Sequence, residues 1–267
     1  MQELGPGVYF MTTLTHIATE LDSLLRTADF PDYPQAINGV QVETQADIVK
    51  VAAAVDLRER TIKSALDAGA NLLLVHHGLF WGGLQPLRGP YYRRIHAMLT
   101  SGMGLYSSHL PLDAHPDVGN NALLARELGL TPTFGFARYQ TIDIGVRGNE
   151  DIATSELIAR ADRVARRWGG TVRTSPSDPS RATKRWAICT GAGASADTLQ
   201  EALENGIDTL IVGEGPHWTA VDAEEMGIVI IYAGHYATET FGVRALADHV
   251  ARVFDLPTVF IDVPTGL

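Results

Sequence analysis

The chain has 267 residues, which is long enough for one large domain or for two lobes that each bury a hydrophobic core. A formal net charge of −10 argues against a surface built to coat a phosphate backbone, so nucleic acid is not an expected partner. The single cysteine, Cys189, excludes an intramolecular disulfide framework and a cysteine-rich zinc site.

The first elements along the chain are an extension and a helix. Residues 1–11 lack the charged start and the apolar stretch of a signal peptide, and we expect a flexible extension there. Apolar residues recur at helical spacing over 13–25. No apolar run is long enough to cross a bilayer, and we therefore predict a cytoplasmic protein outside the membrane.

The next unit is strand, helix, strand, at residues 49–55, 61–68 and 72–75, and it returns near the end of the chain. Residues 61–78 align without gaps on residues 198–215, with seven identical positions among eighteen. Residues 105–109 likewise match 231–235, and a carboxylate stands four residues after the histidine of each copy, as Asp113 and as Glu239. We interpret this as an internal duplication.

Strands that alternate with helices predict an α/β fold. The duplication predicts two similar lobes, at about 12–135 and 136–267, which together form a single unit over 12–267. We expect each lobe to be a mixed β-sheet flanked by helices.

A histidine pair, His76 and His77, directly follows the apolar strand at 72–75. Ligands of open α/β sheets gather beyond the carboxyl ends of the strands, so this pair is placed for binding. Successive strand residues point to opposite sides, which suggests that each histidine serves a different ion. The alternative is a strand that ends in two histidines by chance.

Three further candidates come from the matching segments. His235 and Glu239 are four residues apart at the start of a predicted helix and share one face, although an exposed helix face also explains such a pair. Pro111 argues against a helix before Asp113, so we expect a loop to present this carboxylate, with a turn or capping role as the alternative.

Taken together, three histidines and two carboxylates are too many donors for one catalytic ion that keeps open positions. They suit two divalent ions that share a bridging carboxylate. Mixed nitrogen and oxygen donors accept Zn, Fe or Mn, so the sequence leaves the identity of the metal open.

Four long strings, at residues 38–42, 75–81, 109–121 and 234–239, are specific enough to name a family. The chain resembles the Nif-three-like dinuclear-metal family, also called GTP cyclohydrolase 1 type 2 homologues, from about residue 14 to residue 264. The resemblance implies two interlocked lobes, a ring-shaped homohexamer and a bridging role for Glu239. It implies two divalent ions per subunit, bound by His76, His77, Asp113, His235 and Glu239.

Three other polar residues are expected near the metals. His109 and His217 are candidates for proton transfer, and Glu214, which aligns with His77, is a candidate supporting group. The glycine-rich turn at 191–195 is either an anion site before a helix or a tight strand-to-helix turn.

The leading functional hypothesis is a metal-dependent hydrolase, resembling a cyclohydrolase, that acts on a small molecule with a metal-bridging water. The rival hypothesis is a non-catalytic metal-binding or regulatory scaffold. Fold and metal site together permit many reactions, so the sequence does not name the substrate.

Overall fold

The computed structural model describes residues 12–267, and the predicted extension at 1–11 lies outside them. The helices are α1 (Leu14–Leu25), α2 (Glu59–Asp67), α3 (Gly89–Ser101), α4 (Leu110–Asp113), α5 (Asn120–Glu127), α6 (Thr154–Arg167), α7 (Ala196–Glu204), α8 (His217–Glu225) and α9 (His235–Phe254). The strands are β1 (Gly39–Val42), β2 (Val51–Asp56), β3 (Leu72–His77), β4 (Gly104–Ser107), β5 (Phe134–Tyr139), β6 (Ile142–Ala153), β7 (Arg173–Thr174), β8 (Ala182–Cys189), β9 (Thr209–Val212), β10 (Val229–Tyr232) and β11 (Thr258–Phe260).

The first sheet has the strand order β1-β4-β3-β2-β11. Its strands are parallel except for β1, which runs antiparallel to β4. The edge strand β11 comes from the end of the chain, after the long helix α9 has returned from the second sheet. The two halves are therefore interlocked, as the resemblance implied.

The second sheet has the order β5-β6-β8-β9-β10-β7 and is also mixed. Its centre, β8-β9-β10, is parallel, while β5, β6 and β7 pair antiparallel with their neighbours. The predicted fold class, two mixed sheets flanked by helices, is confirmed.

Helices cover both faces of each sheet, and apolar side chains fill the space between the layers. On the first sheet, one core includes Leu21 of α1 and Val243 of α9, while the opposite core includes Ile62 of α2 and Met98 of α3. Because both faces are covered, β2 and β3 consist of continuous apolar runs rather than alternating ones.

Local sequence signals explain how two of the helices begin. Thr13 is the N-cap of α1, where its side chain accepts a hydrogen bond from the His16 amide at 3.3 Å. The expectation of a loop before Asp113 was wrong, because α4 is a single helical turn with Pro111 in its first turn. Proline is tolerated there, since the amides of a first helical turn have no partner within the helix.

Candidate metal centre

The five candidate ligands come from three elements that meet between the two sheets. His76 and His77 end β3, and Asp113 ends α4. His235 is the first residue of α9, and Glu239 lies one turn later on the same helix. Elements that are far apart along the chain thus bring all five side chains to one place.

The carboxylate of Glu239 lies at the centre of this cluster. Its Oε1 is 3.5 Å from His76 Nε2, which is itself 3.5 Å from Asp113 Oδ2. Its Oε2 is 3.4 Å from His77 Nε2 and 3.0 Å from His235 Nε2. Each oxygen of Glu239 therefore faces a different set of donors.

Two of these sets could each hold one ion. His76, Asp113 and Glu239 present ligand atoms within 4.8 Å of one another, and so do His77, His235 and Glu239. A third such group joins His76 and His77 to His109. These are the groups of this kind found among residues 12–267.

Burial supplies an independent test of whether the site fits a cation. His76 is completely buried, and the Glu239 side chain is only 3% exposed. His76 Nε2 and Glu239 Oε2 make no hydrogen bond of acceptable geometry, despite the close approach of His235. Unpaired buried polar atoms are unfavourable, and a bound cation would satisfy both. The donor set, imidazole and carboxylate, fits a divalent metal.

Each ring nitrogen that faces away from the cluster has an acceptor. Nδ1 of His77 donates to Asp56 at 2.9 Å, Nδ1 of His235 donates to Glu214 at 2.7 Å, and Nδ1 of His76 donates to the Ser108 carbonyl at 2.9 Å. Because these oxygens only accept, Nδ1 carries a proton in each ring, and Nε2 is the nitrogen that would offer its lone pair to a bound cation. Metal-binding histidines are typically held in this way.

The charges of the cluster show how strongly it attracts positive charge. Burial alone lowers the pKa of His76, but Asp113 and Glu239 outweigh it and raise that pKa to about 10. Burial also lowers the pKa of His235, but Glu239 and Glu214 outweigh it and raise that pKa to about 9. Burial raises the pKa of Glu239, but its three histidine neighbours hold the pKa well below its usual range. With no cation bound, protons occupy the places of the ions.

The glycine-rich turn at 191–195 packs directly against the site. Gly191 has φ +62°, and a Cβ atom there would lie 2.0 Å from Glu239 Oε1. Its amide donates to the Thr238 hydroxyl at 3.1 Å. The residue must therefore be glycine, and the turn acts as the tight strand-to-helix connection that was one of its two interpretations.

Two asparagines of α5 fix the position of Asp113. Asn120 donates to Asp113 Oδ1 at 2.8 Å and accepts from the Gly242 amide of α9 at 2.7 Å. Asn121 donates to the Asp113 carbonyl at 3.2 Å and accepts from the Thr190 amide at 2.8 Å. The carboxylate of one half is thereby tied to elements of the other half.

The candidates for proton transfer lie in different surroundings. His109 Nδ1 donates to Asp32 at 2.9 Å, and its ring centroid is 5.0 Å from that of His76. His217 is exposed at the start of α8 and belongs to none of the three donor groups. Its catalytic role stays a prediction.

Sequence reasoning missed Asp32 and Asp56. Asp56 had a usable signal, because it ends the buried strand β2 and pairs in register with His77 on the neighbouring parallel strand. Asp32 had no signal in the sequence that would have predicted its contact with His109, because it lies in an irregular segment 77 positions earlier.

A cavity of about 130 Å³ opens onto the cluster between the two halves. His77, His109, Asp113, His235 and Glu239 line it. A second cavity, of about 150 Å³, also reaches His77 and His235, and Asp56 and Glu214 line it as well. The cluster is therefore accessible to small molecules.

Comparison with known proteins places the chain. Residues 12–266 match the family described as Duf34/NIF3 (NGG1p interacting factor 3). The chain belongs to the Duf34/NIF3 family. A relative from Deinococcus radiodurans, named GTP cyclohydrolase 1 type 2 homolog, is 40% identical over 249 residues, which are 92% of each chain. The predicted family is thus confirmed.

Solved structures agree with this assignment. The fold is similar to that of protein ybgI, described as of unknown function, with a TM-score of 0.85 and 33% identity over 96% of this chain and 100% of that one. It is also similar to TTHA1606 from Thermus thermophilus, with a TM-score of 0.77 and 35% identity over 96% of this chain and 100% of that one. Within the described part of this Duf34/NIF3 protein, no helix combines the length and the apolar character needed to span a membrane.

Proposed function

We propose that this protein is a dinuclear divalent-metal hydrolase. The observation that carries the proposal is the position of Glu239, whose two oxygens face two separate sets of donors. A carboxylate so placed is suited to bridge two ions. The unpaired and buried His76 Nε2 gives further support.

In this proposal, His76, Asp113 and Glu239 hold one ion, and His77, His235 and Glu239 hold the other. Zn, Fe and Mn all suit these donors. A pair of ions held by these residues would supply Lewis acidity and an activated water for hydrolysis. Asp56, Glu214 and the Ser108 carbonyl keep the imidazoles in the orientation and tautomer that binding requires.

His109 and Asp32 form the proton-transfer pair. Burial raises the pKa of Asp32, but hydrogen bonds from His109, Asn38 and the Leu110 amide outweigh burial and lower that pKa, so Asp32 is ionised. It accepts a hydrogen bond from Nδ1–H of His109, and this leaves Nε2 as the nitrogen that could take a proton and return it. His109 lines the cavity beside His77, where a substrate would lie.

The substrate in this proposal is a small molecule with a hydrolysable carbonyl, imine or phosphoryl group. The names of relatives, GTP cyclohydrolase 1 type 2 homolog, place the opening of a purine ring among the reactions to test. The size of the cavity, about 130 Å³, favours entry of the reacting group rather than of a whole nucleotide.

We also propose a ring-shaped homohexamer in the cytoplasm. Several large apolar side chains are exposed, which supports burial in an oligomer: Leu84, Leu87, Leu99, Trp218 and Val221. Light scattering coupled to size exclusion measures the assembly directly.

The test of the proposed function combines metal analysis with a turnover screen. Protein purified without chelators should contain two divalent ions per chain and should hydrolyse at least one member of a panel of nucleotides, cyclic amides and phosphoesters. His77→Gln should lose both metal and turnover, whereas His96→Gln, a change on the exposed side of α3, should keep them.

Absence of turnover across the panel in fully loaded protein would contradict the hydrolase. If His77→Gln also left the cellular function intact, the scaffold would be the better interpretation.

A further inference from the structure

An aromatic cluster borders the cavity beside the candidate metal centre. Tyr33 lines this cavity together with His77 and His109, yet it is 47% exposed. Its ring centroid is 6.0 Å from that of His109 and 6.3 Å from that of Trp81. Tyr33 therefore stands at the mouth of the cavity, with one part of its ring open to an incoming molecule.

Tyr139 supports Tyr33 from the other half of the fold. The two ring centroids are 5.1 Å apart, and Tyr139 ends β5 of the second sheet. Offset or tilted aromatic pairs at this separation attract each other. The contact fixes the ring of Tyr33 across the gap between the halves.

The segment that carries Tyr33 is held rigidly. Asn38 donates to Asp32 Oδ2 at 2.8 Å and accepts from the His109 amide at 2.8 Å. Gln41 donates to the Ala36 and Ile37 carbonyls at 2.8 and 2.9 Å. These side-chain hydrogen bonds join the segment around Tyr33 to itself and to His109, which limits where Tyr33 can lie.

The backbone is strained in the segment that presents Tyr33, where Ile37 has φ +42°. Gln140, next to Tyr139, has φ +49° in the two-residue turn between β5 and β6, where a positive φ is ordinary. A β-branched residue with positive φ is a genuine outlier that surrounding contacts must stabilise. Strain of this kind concentrates at binding sites, where it fixes a productive geometry.

The residues that line the cavity indicate what kind of chemical group could enter it beside Tyr33. Among the described residues that line it, none is Lys or Arg, so neither of these side chains is available there to bind a phosphate. Its volume, about 130 Å³, admits a small reacting group. The adjoining part of a substrate that enters through this cavity would then lie against Tyr33.

We propose that Tyr33, supported by Tyr139, is a stacking subsite for a planar aromatic or heteroaromatic ring attached directly to the group that is hydrolysed. This inference rests on the proposed function, since the two ions would anchor the reacting group. It adds a substrate class that the metal ligands do not specify.

The test uses two metal-binding probes that differ only in the attached group. Acetohydroxamate carries a methyl group and benzohydroxamate carries a phenyl ring, and both bind divalent metals through the hydroxamate. Calorimetric titration of the Co²⁺-loaded full-length protein gives the ratio of their dissociation constants. That ratio cancels differences in metal loading between variants.

Tyr33→Leu should lower the preference for benzohydroxamate about five-fold, which is the usual contribution of an aromatic pair. Tyr33→Phe should keep the preference, because the ring remains. Tyr92→Leu is a matched control: Tyr92 is also 47% exposed but lies on α3, and this variant should behave like the wild type.

Two results would count against the inference in different ways. An unchanged preference in Tyr33→Leu, with both probes still bound, would overturn the stacking subsite and leave the metal centre standing. Failure of both probes to bind the Co²⁺-loaded wild type would overturn the proposed hydrolase, whose ions need open positions for a reacting group, and the subsite with it.

Discussion

The two copies of the duplicated unit end their strands in different ways. Val75 is followed by His76 and His77 in the first copy, whereas the aligned Val212 is followed by Gly213 and Glu214 in the second. The later parts of the copies remain alike, since each delivers a histidine and a carboxylate. The two copies of the unit therefore contribute different side chains to the same site at this strand end.

Packing explains the difference. A Cβ atom on Gly213 would lie 2.5 Å from the Gly191 carbonyl oxygen and 2.8 Å from His235 Cα, so this position cannot carry an imidazole. Glu214 instead accepts from His235 Nδ1, as Asp56 accepts from His77. Duplication determines where strand ends lie, but the space around each end decides whether it supplies a ligand or a support.

The largest expected effect comes from Glu239, which belongs to both donor sets. Glu239→Gln should weaken the binding of both ions. The loss of affinity should exceed the roughly 100-fold that loss of a supporting hydrogen bond causes. Asp113→Asn should weaken mainly the binding of one of the two ions, because Asp113 belongs to only one donor set. Metal titration with stoichiometry from mass spectrometry measures this.

Retention of two tightly bound ions in Glu239→Gln would contradict the bridging role. Circular dichroism of each variant checks that the fold is intact.

Gly213→Ala tests the steric side of the comparison. The added methyl group should destabilise the metal-free protein by about 1–3 kcal/mol, as overpacking of a filled site does. Gly170→Ala is the control, since a Cβ atom there meets its nearest neighbour at an ordinary 3.5 Å. Urea denaturation gives both values, and equal stabilities would refute the packing argument.

The supporting carboxylates should have equivalent effects in the two copies. Asp56→Asn and Glu214→Gln should each weaken metal binding about 10- to 100-fold, because the imidazole loses its oriented acceptor. Asp248→Asn, an exposed change on α9, should have no effect. If only one of the two supporting variants changed the affinity, the correspondence between the copies would fail.

The smallest expected effect is a pH dependence. The pKa values of about 10 for His76 and about 9 for His235 mean that both are protonated at neutral pH when no ion is bound. Metal binding must then release these protons, and affinity should rise about ten-fold per released proton for each pH unit between 7 and 8. Titrations in two buffers of different ionisation enthalpy count the protons.

The same two pKa values determine how the stability of the metal-free protein changes with pH. A raised histidine pKa stabilises the fold below the unfolded value of about 6.5, and this stabilisation is lost as pH rises through 9 to 10. An affinity that does not change between pH 7 and 8 would show that the cluster is not protonated.

The sequence by itself determined the fold class and the positions of the candidate ligands. Continuous apolar runs predicted β2 and β3 because buried parallel strands need apolar residues on both faces. The four-residue spacing of His235 and Glu239 predicted one helix face, and both lie in α9. The division of the chain near residue 135 stays a prediction.

Only the tertiary structure decided which groups support the ligands and what borders the cavity. Asp32, Tyr33 and Tyr139 carry no periodic signal, because irregular segments and strand ends reach the site through contacts between distant parts of the chain. The segment before Asp113 was likewise misjudged, since Pro111 stands in the first turn of α4, where a proline is tolerated. Local patterns fix elements, whereas the meeting of side chains depends on how those elements pack.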